Sequence, residues 1–397
     1  YQSVGIFLIQ FRLLLIFFSS TFALFGASAT VIGACVPEII LSFKWNYSIM
    51  GNVIACGAVG YSISTFLCGF LLRYCKPRQI IIAGLFIQGT GLLVFGYSPW
   101  IVSNIVASSL IGIGQGASEV VPNYCIVRIE QTGRSNLMNL IHSAFTAGAV
   151  FAPLAIGQLI NSEISWRFAF IGLSVFCFLQ AICFAFQEFP KHSKQNSDNR
   201  IVHQLRQLFS NRLMLSLAAI GGIYVGIEIG VSNWIAEYSI KTLATDSETG
   251  AYTVSIYWSG LFVGRIAMAF LYKGKNQFPL LIFSCCLSSI GLILALISEN
   301  IVWSTGFYFI VGFGLSTIYP VVMVIAGQFF GKFSNIAIGI ISTGGGVGAL
   351  VFPLTMAKLA NEWGITSAFV SYLVFAVSMT ILAFYALLQS RRQSSSN

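Results

Sequence analysis

Long apolar runs alternate with short polar segments along the whole 397-residue chain. A bilayer core about 30 Å thick needs about 20 apolar helical residues per crossing. A helix is suited to such a crossing because it satisfies its own backbone hydrogen bonds. Twelve runs meet this requirement, at residues 13–41, 47–72, 79–97, 100–127, 136–160, 166–187, 213–240, 250–272, 277–298, 301–329, 334–360 and 364–389. The pattern predicts an all-α membrane protein with twelve transmembrane helices.

The charged residues support this interpretation because they lie between the apolar runs. Only 8% of the residues are charged, against about a quarter in an ordinary soluble domain. The net charge of +9 therefore reflects membrane flanks, and we expect no nucleic-acid partner. With both termini in the cytoplasm, sixteen of the 21 basic residues face the cytoplasm and four face outward, as the positive-inside rule requires. This predicts an integral plasma-membrane protein, in the inner membrane if the source is bacterial.

The two halves of the chain repeat each other at an offset of 200 residues. The coinciding residues are those that backbone geometry and close helix packing select. The matches include Arg12 with Arg212, Gly26 with Gly226, Gly60 with Gly260, Gly112 with Gly312, Gly148 with Gly348 and Pro153 with Pro353. Six spans per half make the repeat parallel, which has precedent in transporters that work by alternating access. We predict a six-helix bundle at 1–188, a cytoplasmic linker at 189–212 and a second bundle with a short cytoplasmic tail at 213–397.

Few ionisable residues lie inside the predicted spans, and each is a functional candidate because a charge there is costly. Glu228 lies near the middle of span seven, Glu119 in span four and Arg265 in span eight. We favour Glu228 as the group that exchanges a proton during transport, with a static ion pair to Arg265 as the alternative. Glu119 is a second candidate, or else it forms a salt bridge with Arg128 or Arg265. His142 is a proton relay or, more simply, a packing residue.

Other polar residues point to gates and to the solute. Glu38 and Glu237, near the outer ends of spans one and seven, are predicted to be solvated gate residues. Amide and aromatic side chains at membrane depth suit a hydroxyl-rich solute such as a sugar, whose hydroxyls bond amides while its C–H faces stack on rings. These candidates are Gln115, Asn123, Asn139, Asn233, Trp234, Tyr257 and Tyr319, with Trp258 and Gln328 at similar depth. Each of them can equally be a packing residue.

No motif indicates a cofactor, a metal or an enzyme. The string at 344–349 (GGGVGA) fits a dinucleotide-binding pattern, but it lies inside an apolar span without a preceding strand. The nine cysteines show no CxxC spacing, so neither a zinc site nor a disulfide framework is predicted. We expect no cofactor, no metal and no catalytic residue.

Several strings resemble the major facilitator superfamily and, within it, the fucose permease and glucose/galactose transporter group. The loop at 69–78 (GFLLRYCKPR) is similar to the superfamily's loop motif between spans two and three. The strings at 224–228 (YVGIE), 234–238 (WIAEY) and 139–145 (NLIHSAF) are similar to motifs of the fucose permease group. The resemblance implies proton-linked or cation-linked sugar uptake. Gly33 stands where the permease has a span-one aspartate, which is consistent with a coupling role for Glu228.

Three functions remain in competition. The first is symport of a sugar or another small polar solute with a proton or another cation. The second is an exporter of a drug or metabolite that has the same fold and works as an antiporter. The third is a receptor or scaffold with a transporter fold. We expect the chain to act as a monomer in the lipid bilayer and to bind a small-molecule substrate.

Overall fold

The computed structural model describes residues 2–72, 74–97, 99–129, 136–187, 189, 208–271 and 276–395. Within these ranges the regular structure is helical. The helices are α1 (Gln2–Phe43), α2 (Tyr47–Leu71), α3 (Pro77–Tyr97), α4 (Ile101–Ile129), α5 (Asn136–Asn161), α6 (Arg167–Ala185), α7 (Arg212–Leu243), α8 (Ser247–Leu271), α9 (Phe278–Ile297), α10 (Ile301–Leu315), α11 (Ile318–Phe330), α12 (Ser334–Trp363) and α13 (Ile365–Ser395). Every predicted span coincides with one of these helices or, in one case, with two.

Eleven stretches of the described residues are long and apolar enough to cross a bilayer. Helix α8 is not among them, although it coincides with the predicted eighth span. The side chains at 268–271 of this helix lie outside the described set. The prediction of an all-α membrane protein is confirmed.

The predicted tenth span is broken into α10 and α11, whereas the sequence pattern predicted one helix over 301–329. Helix α10 ends at Leu315, and α11 begins at Ile318. The cause is Pro320, which has no N–H to donate to the carbonyl of Ser316 four residues earlier and whose ring crowds that carbonyl. The N–H of Ser316 bonds back to the carbonyls of Gly312 and Phe313 at the end of α10. The break places Tyr319 at the start of α11.

The described helices fall into two compact units. One unit comprises residues 1–45 and 52–196, and the other comprises residues 46–51 and 197–397. Most of the predicted linker at 189–212, including His192 and His203, lies outside the described residues. The boundaries proposed for the two bundles therefore remain predictions.

The two units use the same helix contacts. In the first unit α1 packs on α5, and α3 packs on α4 and α6; in the second unit α7 packs on α12, and α9 packs on α10 and α13. Repeat-related glycines make the closest approaches. A Cβ on Gly148 would overlap the carbonyl oxygen of Ala23, and one on Gly348 would overlap that of Gly222. Glycine is needed at these positions because backbone meets backbone.

The turn before the second helix of each unit repeats as well. Lys44 and Ala244 both have a left-handed backbone, with φ of 54° and 52°. Two residues later, the side chains of Asn46 and Asp246 accept a hydrogen bond from the N–H of Ile49 and Thr249, at 2.8 and 2.7 Å. Each cap satisfies one N–H at the start of a helix. The internal repeat therefore extends from the spans into the local geometry of a connecting turn.

Candidate functional site

Glu228 is the centre of a polar cluster in the second unit. It lies within the spanning helix α7, and only 8% of its surface is exposed. Tyr224 is four residues earlier on the same helix face, and its hydroxyl donates a hydrogen bond of 2.5 Å to Glu228 Oε1. A buried carboxylate requires such donors because burial removes its water shell.

Arg265 on α8 supplies the opposite charge. Its Nη2 lies 3.4 Å from the same Glu228 oxygen, the only ion pair between side chains that the structure describes. The distance exceeds the 2.7–2.9 Å or so that is usual for charge-assisted hydrogen bonds between nitrogen and oxygen. The arginine side chain is 26% exposed, and the glutamate side chain is 11% exposed. The cation is thus the more accessible partner of the pair.

Aromatic side chains frame this pair. The Tyr257 hydroxyl donates to the backbone carbonyl of Glu228 at 3.1 Å. Tyr319, next to the break between α10 and α11, stacks on Tyr224 with ring centroids 5.6 Å apart. Its hydroxyl donates to Ser342 at 3.2 Å. Of the sequence candidates, the structure thus brings Glu228, Arg265, Tyr257 and Tyr319 together.

The equivalent place in the first unit is occupied by Ser28, which is buried in a neutral network. Its hydroxyl accepts hydrogen bonds from the side-chain amides of Gln88 and Gln115, both at 2.9 Å. Ser118 donates to the amide oxygen of Gln88 at 3.1 Å. Helices α1, α3 and α4 are therefore joined by hydrogen bonds without a formal charge. Gln115 belongs to this network rather than standing alone as a solute contact.

Glu119 lies one residue beyond this network. It accepts a hydrogen bond from the Tyr61 hydroxyl of α2, and Tyr61 stacks on Phe25 with ring centroids 6.1 Å apart. No described cation forms an ion pair with Glu119. Arg265 pairs with Glu228, and the side chain of Arg128 lies outside the described set, so the alternative of a salt bridge from Glu119 to one of these arginines stays a prediction.

The two gate candidates differ in their surroundings. Glu237 is buried, with 2% of its surface exposed, so the expectation of a solvated carboxylate is wrong there. It accepts a hydrogen bond of 3.0 Å from Tyr47, which belongs to the second unit with residues 46–51. Glu38 is half-buried and lines a cavity of about 250 Å³ in the first unit together with Glu163 and Arg167.

The remaining candidates are placed singly. His142 packs edge-on against Phe22, with ring centroids 5.0 Å apart. Asn233 and Trp234 are buried on α7, and the Trp258 indole donates to Ser232 at 2.7 Å. Among the described side chains, none bonds the oxygen of the Asn123 amide. The side chain of Asn139 lies outside the described residues, and Gln328 is exposed.

The sequence reasoning missed several members of these clusters. Tyr224 stands four residues before Glu228, and this helical spacing could have identified it. Tyr61, Gln88 and Ser118 carry no comparable signal, because their partners are on other helices. Their contacts depend on how α2, α3 and α4 pack.

Comparisons with known proteins agree on the family. A model of the Major Facilitator Superfamily matches residues 16–334. A protein called TsgA homolog from Buchnera aphidicola subsp. Schizaphis graminum is 22% identical, over 93% of this chain and 93% of that protein. The TsgA homolog of Yersinia enterocolitica is 24% identical, over 92% and 93% of the two chains.

Solved structures of transporters share the fold. A bacterial homolog of the human lysosomal transporter Spinster, in an inward-facing and occupied conformation, has a TM-score of 0.78 at 13% identity over 95% and 97% of the two chains. The nucleoside transporter NupG has a TM-score of 0.74 at 14% identity over 95% and 98%. A D-xylose–proton symporter has a TM-score of 0.72 at 15% identity over 94% and 96%. At these identities the likeness establishes the fold alone.

Proposed function

This chain belongs to the Major Facilitator Superfamily, and on that premise we propose that it moves a small polar solute together with a proton by alternating access. It is an integral membrane transporter and not an enzyme. We place both termini in the cytoplasm, on the basis of the charge asymmetry of the loops, and the protein in the plasma membrane or bacterial inner membrane.

The observation that supports proton coupling is the buried position of Glu228 beside Arg265 and Tyr224. A proton that binds the carboxylate removes its charge and with it the attraction to Arg265 at 3.4 Å. Inside a low-dielectric span, the loss of this attraction changes the relative stability of the inward-facing and outward-facing conformations of the transport cycle. The reason is that one charged pair becomes a neutral acid and a cation. Release of the proton on the other side restores the pair. Glu228 thereby links the proton gradient to the conformational cycle.

The resemblance to the fucose permease group supports a hydroxylated solute of the sugar class. Tyr319, which stacks on Tyr224 beside Glu228, supplies an aromatic ring of the type expected for such a solute. Related folds include a D-xylose–proton symporter and a nucleoside transporter, so this architecture accommodates hydroxylated solutes.

The test is uptake into proteoliposomes with and without an inward proton gradient, using a panel of sugars and related solutes. We expect that Glu228→Gln abolishes gradient-driven accumulation and leaves solute exchange intact. Glu362→Gln is the matched control, because Glu362 is an exposed acid at the end of α12 in the same unit. Accumulation that survives in Glu228→Gln would contradict the coupling role. Solute loss driven by an inward proton gradient would instead identify an exporter.

A further inference from the structure

A cavity of about 250 Å³ in the first unit lies where three helices end. Its lining includes Glu38 and Ser42 from the last two turns of α1, Glu163 from the turn after α5, and Arg167, the first residue of α6. Each of these helices forms a membrane span. The cavity is therefore at a surface of the bilayer, which is the outer surface in the orientation proposed above.

Two acids and one base line this cavity without pairing with each other. The structure describes no ion pair of Arg167 with Glu38 or Glu163. The guanidinium instead lies over the rings of Phe43 and Trp166, with its central carbon 5.2 and 4.5 Å from the ring centroids. A guanidinium that is stacked on rings can still donate hydrogen bonds from the edge of its plane. Both signs of charge are thus offered to a ligand within one cavity.

The rings under Arg167 are held in place before any ligand binds. Trp166 is buried, and its indole N–H donates to the Ser42 hydroxyl of α1 at 3.1 Å. Its ring packs edge-on against Phe43, with ring centroids 5.7 Å apart. These contacts join α1 to the turn between α5 and α6 and fix the surface on which the guanidinium lies. A site that is ordered in advance loses less entropy when it binds a ligand.

The charges at this cavity are the opposite of those that would stabilise the neighbouring helix ends. Arg167 is in the first turn of α6, where the helix dipole is positive, and Glu163 follows the end of α5, where the dipole is negative. Helix stability therefore explains neither charge. Toward a ligand, however, the dipoles add to the side chains. The start of α6 and Arg167 both attract an anion, whereas the end of α5 and Glu163 both attract a cation.

We propose that this cavity binds the headgroup of an ethanolamine phospholipid, with its ammonium against Glu38 and Glu163 and its phosphate against Arg167. A ligand for this site must carry both signs of charge, and this headgroup does. An ammonium has three N–H donors, so it can bond both carboxylates. The trimethylammonium group of a choline phospholipid has the same charge and no N–H donor.

Apolar surface beside the cavity suits the rest of such a lipid. Leu41 and Phe168 are next to Ser42 and Arg167 in the sequence, and they are 74% and 58% exposed. Their surface can contact acyl chains, while the charged cavity at the end of the spans contacts the headgroup. A soluble zwitterion would gain the second contact and not the first. The lipid is therefore the favoured source of this headgroup chemistry.

The test compares lipids that differ only in the headgroup, added to the purified full-length protein in detergent. Phosphatidylethanolamine, phosphatidylcholine and phosphatidylglycerol with the same acyl chains are titrated, and native mass spectrometry measures their binding. We expect phosphatidylethanolamine to bind about fivefold more tightly than phosphatidylcholine, and phosphatidylglycerol to bind more weakly than phosphatidylethanolamine. The preference should shrink at about 0.5 M salt. Free O-phosphoethanolamine, which has the headgroup charges without the chains, should bind far more weakly.

Charge-removing variants assign the two parts of the headgroup. Glu38→Gln/Glu163→Gln should reduce the preference for ethanolamine over choline to about one. Glu163→Gln alone changes an exposed side chain and should lower the preference in the same direction, so a folding defect of the double variant would not prevent the test. Arg167→Gln should weaken the binding of both lipids and keep their ratio, because both carry the phosphate. Glu299→Gln is the matched control, because Glu299 is an exposed acid between α9 and α10 in the second unit.

Four results would overturn the proposal. Equal binding of the ethanolamine and choline lipids would remove the headgroup site, and so would a preference that persists in the double variant. Tighter binding of phosphatidylglycerol than of phosphatidylethanolamine would show that the two acids play no part. Free O-phosphoethanolamine that binds as tightly as the lipid would assign the cavity to a soluble zwitterion. None of these results depends on proton coupling, so the proposed function stands or fails separately.

Discussion

Ser28 and Glu228 occupy equivalent places in two halves of one repeat, and they have entirely different surroundings. Ser28 accepts hydrogen bonds from two glutamine amides at 2.9 Å, in a network without formal charge. Glu228 faces a tyrosine at 2.5 Å and an arginine at 3.4 Å. The same backbone position thus joins neutral helices in one unit and holds an ion pair in the other. The two halves share the helix packing and differ in the side chains of this cluster, since Leu24, Ser28 and Thr65 stand at the positions of Tyr224, Glu228 and Arg265.

This difference separates a structural role from a functional one. Neutral hydrogen bonds hold spanning helices together at modest energetic cost. An ion pair inside a span carries a desolvation penalty that its own attraction repays only with good geometry. The distance of 3.4 Å between Arg265 and Glu228 is long for such a pair. We therefore propose that the charged cluster of the second unit serves transport rather than stability.

The largest expected effect comes from removing the cation of the charged cluster. Arg265→Gln leaves Glu228 buried without its counter-charge, and we expect the apparent free energy of unfolding in detergent to fall by about 3–5 kcal/mol. The double variant Glu228→Gln/Arg265→Gln has no uncompensated charge and should recover much of this loss. Denaturant titration of the wild type and both variants measures the two effects. Equal stability of the single and double variants would show that the two side chains are not coupled.

A smaller effect is expected at the equivalent place in the first unit. Ser28→Ala removes the acceptor of two side-chain amides, that of the buried Gln88 and that of the half-buried Gln115, and should lower the free energy of unfolding by about 1–3 kcal/mol. Because no charge is involved, this loss should not change with pH between about pH 5 and about pH 8. The same denaturant titration at two pH values checks the prediction. A pH-dependent loss would mean that the network is coupled to a titrating group, for which the neighbouring Glu119 is the candidate.

The sequence predicted the fold well because the bilayer imposes a simple rule on it. Apolar length identified the spans, and repeat-related glycines such as Gly148 and Gly348 identified the two halves, since both signals are local or strictly periodic. The break between α10 and α11 was missed, although Pro320 is visible in the sequence. A proline in a spanning helix can produce either a bend or an interruption, and neighbouring helices decide between them.

The candidate site could be predicted only in part. Glu228 and Arg265 were recognisable because charges are rare inside spans, and their pairing was one of two alternatives. Gln88, Ser118 and Tyr61 are ordinary polar residues within a span and gain meaning only from side chains on other helices. Glu237 was expected to be solvated, but it is buried against Tyr47, because burial depends on packing that no local pattern reveals.

The smallest expected effect concerns the N-terminal caps of α2 and α8, where the two halves of the repeat are most alike. Asn46→Ala and Asp246→Ala each remove one cap and should lower the free energy of unfolding by about 1 kcal/mol near neutral pH. Hydrogen bonds from Thr249 hold the pKa of Asp246 below its ordinary value of 3.8. A carboxylate with a lowered pKa stabilises the folded state above the unfolded pKa, and this stabilisation is lost as pH falls through the lower folded value. Asn46 does not titrate, so its cap should persist in acid.

The difference between the two caps should therefore emerge only below about pH 4. Asp246→Asn is the matched control, because it keeps the acceptor oxygen and removes the titration. Thermal unfolding of the wild type and the three variants, at neutral and at acidic pH, measures the effect. We expect the loss of stability caused by Asp246→Ala to shrink in acid, while the loss caused by Asn46→Ala stays the same. The stability difference between the Asp246→Asn and Asp246→Ala variants should also stay the same, because neither side chain titrates. If all three differences shrank together, the acid sensitivity would lie elsewhere in the protein, and the two turns would be equivalent in chemistry as well as in backbone geometry.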